Sequence, residues 1–498
     1  MRWTCASFLS LSLLAVSCSF SPPRANPVSA PTESPLLDPL KKPWDDRTIF
    51  KEGLITSAQS TLEDLHGASV YHIELTIADD LMHVTGTEEV RYTNTENIPL
   101  EEIQLRLFPN ILGGEMTIST LTVNGQSTSP TYQLNNSLMI VPLATPLQPG
   151  ESVILQMDFS VTVPQSIEMN YGVFAYYDDV LTLAHAYPMI AVYDDEGWNA
   201  EIPSPNGDVI YADASFYIVR VHAPKDLTVV TSGQRIHLDE TDQAQAWIVA
   251  SGPARDFYLA ASRTYEVTSQ TFGEVTLHSY APKELQSGSQ TALEIASKAI
   301  EVFSARYAPY PYTELDIVAT PTLALGVEYP GIIAITSRLY EGSLDNLLLE
   351  STVAHEVGHQ WFYNLIGNDQ LDDPWLDEAL TQFATLQYYA DEHGFTGEEM
   401  FRATLRSRWA QIGMEEIPIG LPVAEYQNGE YGAIVYGRGP LFFEALRQEM
   451  GSAAFDAFLQ DYVQTFSWKI ATPEALHSLA EQTCTCNLDT LFEEWVYP

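Results

Sequence analysis

The sequence predicts an α+β protein of more than one domain, in which a β-sandwich or curled β-sheet domain precedes a mainly helical domain. Its 498 residues are enough for two or three domains. Between residues 70 and 268, short segments that alternate apolar and polar residues are separated by turn signals, a pattern typical of β-strands. From residue 343 onward, helical patterns dominate.

The N-terminal residues 1–18 resemble a bacterial export signal. Arg2 supplies a positive start, and residues 8–16 form an apolar stretch that is too short to span a bilayer. Residues 15–18 read Ala-Val-Ser-Cys and resemble a lipoprotein cleavage site, which would make Cys18 the lipidated first residue. We therefore expect an exported, extracytoplasmic protein that is membrane-anchored as a lipoprotein, with plain secretion as the alternative.

The remaining chain divides into a tether and two domains. Residues 19–43 are rich in proline and serine, which predicts a flexible linker. Residues 44–275 are predicted to form the β-domain, because segments such as 70–77 and 103–107 alternate apolar and polar residues and Asn-Gly and Pro-Gly pairs mark turns. Residues 276–498 are predicted to form the second, mainly helical domain.

The motif that indicates chemistry lies in the second domain, where residues 355–359 read His-Glu-Val-Gly-His. Histidines four residues apart lie on one face of a helix, so both imidazoles can bind one metal ion. Glu356, beside the first histidine, stays free to accept a proton. The surrounding pattern predicts one long helix over residues 344–366.

A third ligand is predicted at Glu378. Asp373 as N-cap and Pro374 predict the start of a second helix, which places Glu378 near its first turn. Three protein ligands leave one tetrahedral position open for water, as in a catalytic zinc site with one ion per chain. The alternative is two hydrogen-bonded core histidines and an acid that is merely favoured by the helix dipole.

These residues resemble the zinc aminopeptidases of the aminopeptidase N type. The family pattern is H-E-x-x-H, eighteen residues and then Glu, and 378 − 359 = 19 leaves eighteen residues between His359 and Glu378 here. Five further segments are similar to family motifs, in order: 325–329 (Leu-Gly-Val-Glu-Tyr), the flanks 359–362 (His-Gln-Trp-Phe) and 375–378 (Trp-Leu-Asp-Glu), 436–439 (Tyr-Gly-Arg-Gly) and 491–496. The resemblance covers residues 65–498.

The resemblance implies a saddle-like β-domain and a thermolysin-like (gluzincin) catalytic domain, in a short form that lacks the large C-terminal helical domain of many relatives. It further implies that Glu328, with Gly326 in the same substrate-binding motif, anchors the free α-amine of a peptide, and that Tyr436 stabilises the oxyanion. The motif departs from the family at Val327 and Tyr329, which replace methionine and asparagine, and at Leu325, where the family's glycine falls one place before Gly326. The shape of the first side-chain pocket therefore does not carry over from the family.

Composition excludes one class of partner. The chain carries 23 basic and 66 acidic residues, a formal net charge of −43, and a phosphate backbone would be repelled. Nucleic-acid binding is therefore excluded, and the acidity is typical of a strongly solvated surface. The partners that we expect are peptides with a free N-terminus.

The predicted function is zinc-dependent hydrolysis of the N-terminal peptide bond, with Glu356 as general base. One alternative is a thermolysin-like zinc endopeptidase in which Glu328 is incidental. Another is a non-catalytic peptide-binding module on the same scaffold. Asp377 and Gln382 are further candidates, as hydrogen-bond partners of the ligands.

Two cysteines remain outside the export segment. Cys484 and Cys486 are separated only by Thr485. The two cysteines can form a local disulfide or remain two free thiols, and we assign the pair no catalytic role.

Overall fold

The computed structural model describes residues 38–342 and 346–498. The predicted export signal, Cys18 and residues 19–37 of the predicted 19–43 linker lie outside the described residues. Within the described part of the chain, no helix combines the length and apolar character needed to cross a bilayer.

Strands occur in two groups along the described chain. The first group is β1 Val70–Ile77, β2 His83–Thr93, β3 Leu100–Arg106, β4 Glu115–Val123, β5 Gln126–Ser127, β6 Thr131–Gln133, β7 Leu138–Leu147, β8 Ser152–Thr162, β9 Phe174–Tyr177, β10 Val180–Ala184, β11 Met189–Ile190, β12 Tyr193–Asp194, β13 Gly197–Trp198, β14 Ser215–Pro224, β15 Thr228–Thr231, β16 Gln234–Glu240, β17 Ala244–Ala254 and β18 Tyr258–Ser262. The second group is β19 Tyr265–Phe272, β20 Val275–Pro282, β21 Glu314–Thr320, β22 Gly326–Tyr329 and β23 Ile332–Thr336.

The first group builds the β-domain around an eight-stranded sheet of order β16-β17-β14-β1-β2-β8-β4-β5. Its pairs are antiparallel except β1 and β14, which are parallel. Two four-stranded sheets, β15-β18-β10-β9 and β11-β3-β7-β6, accompany it. Strand β8 shows why this fold forms, because its alternate residues Val153, Leu155, Met157, Phe159 and Val161 are all buried in the core.

The second group forms one five-stranded sheet of order β19-β20-β21-β23-β22. Strand β21 is parallel to β20 and to β23, whereas β22 pairs antiparallel with β23 and lies at the edge. The sheet starts at Tyr265, ahead of residue 276, and the division at 275/276 stays a prediction.

One helix lies between β20 and β21 in the chain, and the other helices follow the second sheet. Together they are α1 Gln286–Arg306, α2 Ser337–Tyr340, α3 Asn346–Gly358, α4 Glu378–Ala410, α5 Glu430–Ala433, a π-helical turn Ile434–Arg438, α6 Gly439–Met450, α7 Ser452–Phe466, α8 Pro473–Cys484 and α9 Asp489–Trp495. A β-domain followed by a mainly helical domain confirms the predicted α+β class.

The prediction of one helix over residues 344–366 is wrong at its C-terminal end, because α3 ends at Gly358. The next residues form tight turns that Gln360 ties to the sheet. Its Nε2 donates to the carbonyl oxygen of Tyr329 (3.0 Å), and its Oε1 accepts from the backbone N–H of Gly331 (2.9 Å). These turns are buried, so they contain apolar residues just as a buried helix does. The apolar pattern of the sequence therefore cannot distinguish the turns from a continuing helix.

The second predicted helix also differs at its ends. Asp373 and Pro374 start a 3-10 turn, and Asp373 makes no side-chain cap. Helix α4 begins at Glu378, so the expected position of this residue in the first turn is correct. At Gly394 the backbone leaves helical geometry (φ 62°, ψ −159°), but the helix resumes and ends at Ala410.

A buried arginine joins the two domains. Arg255, which follows β17, donates from Nε to the carbonyl oxygens of Tyr363 (3.0 Å) and Asn364 (3.1 Å). Its Nη2 donates to the carbonyl oxygens of Leu365 (3.3 Å) and Lys469 (2.7 Å). The segment that follows the histidine motif is thus held by the β-domain.

The two remaining cysteines are paired. Cys484, at the end of α8, forms a disulfide with Cys486, and their Cα atoms are 5.2 Å apart. Of the two alternatives left open by the sequence, the structure has the local disulfide.

Candidate metal centre and active site

Three buried side chains converge where α3 ends and α4 begins. His355 and His359 face the same point because the helical repeat persists through His359, whose backbone N–H donates to the carbonyl oxygen of His355 (3.3 Å). The Nε2 atoms of the two histidines are 3.0 Å apart, and Oε2 of Glu378 lies 3.0 Å from the first and 3.4 Å from the second. The structure therefore brings together the three residues that the spacing predicts as ligands.

The chemistry of this cluster fits a bound cation. His359 uses Nδ1 to contact Oδ1 of Asp377 (2.6 Å) and the carbonyl oxygen of Phe362 (3.0 Å), which holds a proton on Nδ1 and turns Nε2 toward His355. Burial, followed by the neighbouring His359, lowers the pKa of His355 to about 4, so this imidazole is neutral. Two ring nitrogens that converge beside a carboxylate suit a divalent metal, and two nitrogens with one oxygen suit zinc.

Glu356 lies in the cavity beside the cluster. It is buried, and its carboxylate accepts no hydrogen bond from the residues that the structure describes. It rests against Gly326 at the start of β22, where a Cβ atom would overlap the carboxylate. Glycine at this position therefore makes room for the Glu356 side chain. A carboxylate without a fixed partner, next to a metal cluster, can accept and donate protons.

We expect Gly326→Ala to reduce kcat by about tenfold to a hundredfold, because the new methyl group displaces a group whose proton transfer contributes about 10²–10⁴. Stability should change little, since the atoms in the way are the end of a flexible side chain. Initial rates, zinc content and the melting temperature of the two proteins test this. Gly432→Ala is the matched control, because a Cβ there meets nothing within 4 Å. If Gly326→Ala had the kcat of the wild type, the close packing of residue 326 against the Glu356 carboxylate would be contradicted.

Glu328 lies on the edge strand β22 with its side chain buried near the cluster. Carboxylate oxygens of Glu328 and Asp377 lie within 4.8 Å of a ring nitrogen of His359 and of each other. Gln370 bridges the two acids, donating to Oε1 of Glu328 (3.3 Å) and to Oδ2 of Asp377. Burial raises the pKa of Glu328 to about 7, so a cationic group that binds here also keeps this acid ionised.

Tyr436 reaches the cluster from the π-helical turn. Its hydroxyl donates a hydrogen bond to Oε1 of Glu378, and its ring lies 6.0 Å from the ring of His355. The residue predicted to face the oxyanion thus lies beside the metal ligands. Gln382 also borders the cavity, and its Oε1 is buried without a hydrogen-bond partner among the described residues.

One cavity of about 820 Å³ is lined by the three cluster residues and by Glu328, Glu356, Gln382 and Tyr436. The helical domain contributes α3, α4 and the edge strand β22. The β-domain contributes the opposite wall, through residues 168–171 and 202–210. A peptide entering the cavity therefore contacts both domains.

The sequence patterns do not identify two further residues that line this cavity. Asp208 comes from the β-domain loop that follows β13, and its enclosed position and the nearby Glu328 and Glu378 raise the pKa of its carboxyl well above the usual range. Arg408 lies on α4, far along the helix from Glu378. No local motif marks either residue, because only the folded chain brings them to the cavity.

Several aminopeptidases match parts of this chain. Aminopeptidase M1-B of Oryza sativa subsp. japonica is 26% identical over 218 residues, which cover 41% of this chain and 25% of the relative. Endoplasmic reticulum aminopeptidase 2 of Bos taurus is 24% identical over 360 residues (66% and 36%), and aminopeptidase N of Lactobacillus helveticus is 25% identical over 277 residues (52% and 32%). The chain thus spans between a quarter and about a third of the length of these relatives.

Solved structures share the whole architecture. A mutant M1 zinc metallopeptidase from Deinococcus radiodurans has a TM-score of 0.65 at 20% identity, covering 90% of this chain and 95% of that one. A two-domain M1 zinc metallopeptidase mutant bound to L-arginine has a TM-score of 0.66 at 21% identity, covering 86% and 94%. The fold is therefore that of the two-domain metallopeptidases. More specifically, residues 291–495 match the Peptidase family M1 domain.

Proposed function

We propose that the protein is a zinc-dependent aminopeptidase that hydrolyses the first peptide bond of peptides with a free N-terminus. The observation that carries the proposal is the buried Glu328 carboxylate beside the His355, His359 and Glu378 cluster. A protonated α-amine held by this carboxylate places the first carbonyl of the chain over the cluster. Structures of similar fold bound to L-arginine, and to the peptide Tyr-Ser-Ala, support peptide substrates.

His355, His359 and Glu378 would hold one zinc ion, which polarises the scissile carbonyl and makes water more acidic. Asp377 keeps the His359 ring oriented through its 2.6 Å contact with Nδ1. Glu356 accepts the proton of the attacking water and passes it to the leaving nitrogen. The Tyr436 hydroxyl, already beside Glu378, supplies a hydrogen-bond donor where charge develops on the carbonyl oxygen.

The experiment that tests this function compares tri-alanine with N-acetyl-tri-alanine. We expect kcat/KM to be lower for the acetylated peptide than for tri-alanine by at least about a hundredfold. The acetylated peptide lacks the positive charge that Glu328 recognises, so its binding leaves the Glu328 carboxylate buried without a partner. Product analysis should show release of the first residue only. Glu328→Gln should lower kcat/KM for tri-alanine by about tenfold to a hundredfold.

The two alternatives make different predictions in the same experiment. An endopeptidase of the thermolysin type cleaves the acetylated peptide at least as fast and is insensitive to Glu328→Gln. A non-catalytic peptide-binding module binds both peptides and cleaves neither, with or without added zinc. Either outcome would reject the aminopeptidase proposal.

We further propose that the protein acts outside the cytoplasm, anchored through lipid at Cys18. The export-like residues 1–18 and the Pro- and Ser-rich segment 19–43 support this location. Expression of the full chain and of Cys18→Ser in a bacterium, followed by membrane fractionation, tests it. We expect the full chain in the membrane fraction and the variant in the soluble fraction, and equal partition of both would contradict lipidation.

A further inference from the structure

Arg408 is a cation without an anion. It lies in the last turns of α4 and borders the cavity, yet its guanidinium forms no hydrogen bond or ion pair with any residue that the structure describes. Its one directional contact is with the ring of Tyr436, at 5.7 Å from the centroid. Arg255 and Arg438, two other enclosed arginines, each donate to several carbonyl oxygens. The donors of Arg408 are therefore available to a ligand.

The charges around the cavity make this position unusual. Glu328, Glu356, Glu378 and Asp208 all border it, whereas Arg408 is the single lysine or arginine among the described residues of the cavity wall. Glu378 faces the histidines and the Tyr436 hydroxyl, so it leaves the Arg408 donors unoccupied. A free anionic ligand would be repelled by the acidic wall, and Arg408 is the place where it can be held.

Arg408 and the amine site approach the metal cluster beside different histidines. Glu328 is near His359, just after the C-terminal end of α3. Arg408 contacts Tyr436, whose ring is next to His355, one turn earlier. The cavity wall thus carries an acid for the substrate amine near one histidine and a cation near the other.

The length of the cavity wall over residues 351–359 suits a short peptide. His359 and Ser351 are eight residues apart, which is about 12 Å along a helix that rises about 1.5 Å per residue. An extended tripeptide spans about 10 Å, at about 3.3–3.6 Å per residue. A peptide of two or three residues that is anchored by its amine at Glu328 is therefore about as long as the stretch of residues 351–359 that borders the cavity.

We propose that Arg408 binds the C-terminal carboxylate of di- and tripeptides, so that the enzyme selects short peptides with both termini free. This inference rests on the proposed aminopeptidase function. A guanidinium is suited to the task because its planar donors bind a carboxylate through two hydrogen bonds. The carboxylate stays on the leaving portion of the peptide, so the product amine and carboxylate depart together.

The test uses three substrates: tri-alanine, tri-alanine amide and alanine p-nitroanilide, which has no carboxylate. For the wild-type enzyme we expect kcat/KM to be about tenfold to a hundredfold higher for the acid than for the amide, as for a hydrogen bond between charged groups of about 1.5–3 kcal/mol. Arg408→Gln should abolish this preference, mainly through a higher KM for the acid, and Arg408→Lys should restore part of it. Alanine p-nitroanilide should be cleaved at nearly the wild-type rate by both variants.

Arg406→Gln is the matched control, because Arg406 is exposed on the same helix and lies outside the cavity wall. It should leave the preference for the acid unchanged. Calorimetric binding of tri-alanine and its amide to Glu356→Gln, with and without Arg408→Gln, gives a readout that does not depend on turnover. There we expect the acid to bind more tightly only when Arg408 is present.

Two results would overturn the inference. One is a wild-type enzyme that treats acid and amide alike. The other is an Arg408→Gln variant that loses activity equally on all three substrates, which would assign Arg408 to positioning Tyr436 through their ring contact. If alanine p-nitroanilide itself is not cleaved by the zinc-loaded wild-type enzyme, the proposed function fails, and the calorimetric comparison alone then decides whether Arg408 binds the carboxylate.

Discussion

Glu356→Gln is expected to reduce kcat by about 10²–10⁴, the range that a general acid–base group contributes. The amide keeps the size of the carboxylate but cannot take the proton of the attacking water. Glu356 accepts no hydrogen bond from the described residues, so its loss should alter neither zinc content nor melting temperature. Steady-state rates on alanine p-nitroanilide, together with metal analysis, measure the effect.

Glu301→Gln, on the exposed side of α1, is the control for the loss of one negative charge. It should retain full activity. If Glu356→Gln kept more than about a tenth of the wild-type kcat, the rate loss would be far smaller than a general base contributes. The general base would then have to be another group. Asp208 would then be the next candidate, because it lies in the same cavity.

Arg255→Met is expected to lower the free energy of unfolding by about 3–5 kcal/mol, because a fully enclosed hydrogen-bonding cation is lost and carbonyl oxygens of both domains are left without a donor. Methionine fills a similar volume, so the loss is one of hydrogen bonds rather than of packing. The carbonyl oxygens belong to Ala212, Tyr363, Asn364, Leu365 and Lys469. Urea unfolding followed by fluorescence gives the change.

The control for this variant is Arg263→Met. Arg263 lies nearby in the sequence but is partly exposed, and its ion pair with Asp226 (2.9 Å) should be worth no more than about 1 kcal/mol. Since Arg255 holds the segment just after His359, we also expect weaker zinc binding in Arg255→Met. Equal stability of the two variants would show that the domains do not depend on this arginine.

The convergence of His355, His359 and Glu378 could be predicted from the sequence. One helical turn sets the two histidines, and Glu378 begins the next long helix after the nineteen residues 359–377, a spacing that resembles the family motif.

The end of α3 could not be predicted in the same way. Trp361, Phe362 and Ile366 continue the apolar pattern of the helix, but they are buried in turns that Gln360 fixes to the sheet. Burial imposes apolar residues on a turn and on a helix alike, so periodicity does not mark the boundary.

Asp208 and Arg408 could not be predicted from the sequence as residues of the site, for a different reason. One lies on a loop of the β-domain and the other far along α4, and their role depends on which groups surround them. A single acidic residue among 66, or one arginine on a long helix, carries no spacing that could be recognised. Their importance follows from the shape and the charge of the cavity, which only the fold defines.

The most direct test of the account is a zinc titration of the metal-free protein. After dialysis against a chelator, activity on alanine p-nitroanilide should be absent, and it should return in proportion to added zinc up to one equivalent per chain. His359→Ala and Glu378→Ala should neither retain the ion nor recover activity. A protein that is fully active while metal analysis finds far less than one ion per chain, or ligand variants that still bind and use zinc, would contradict the account.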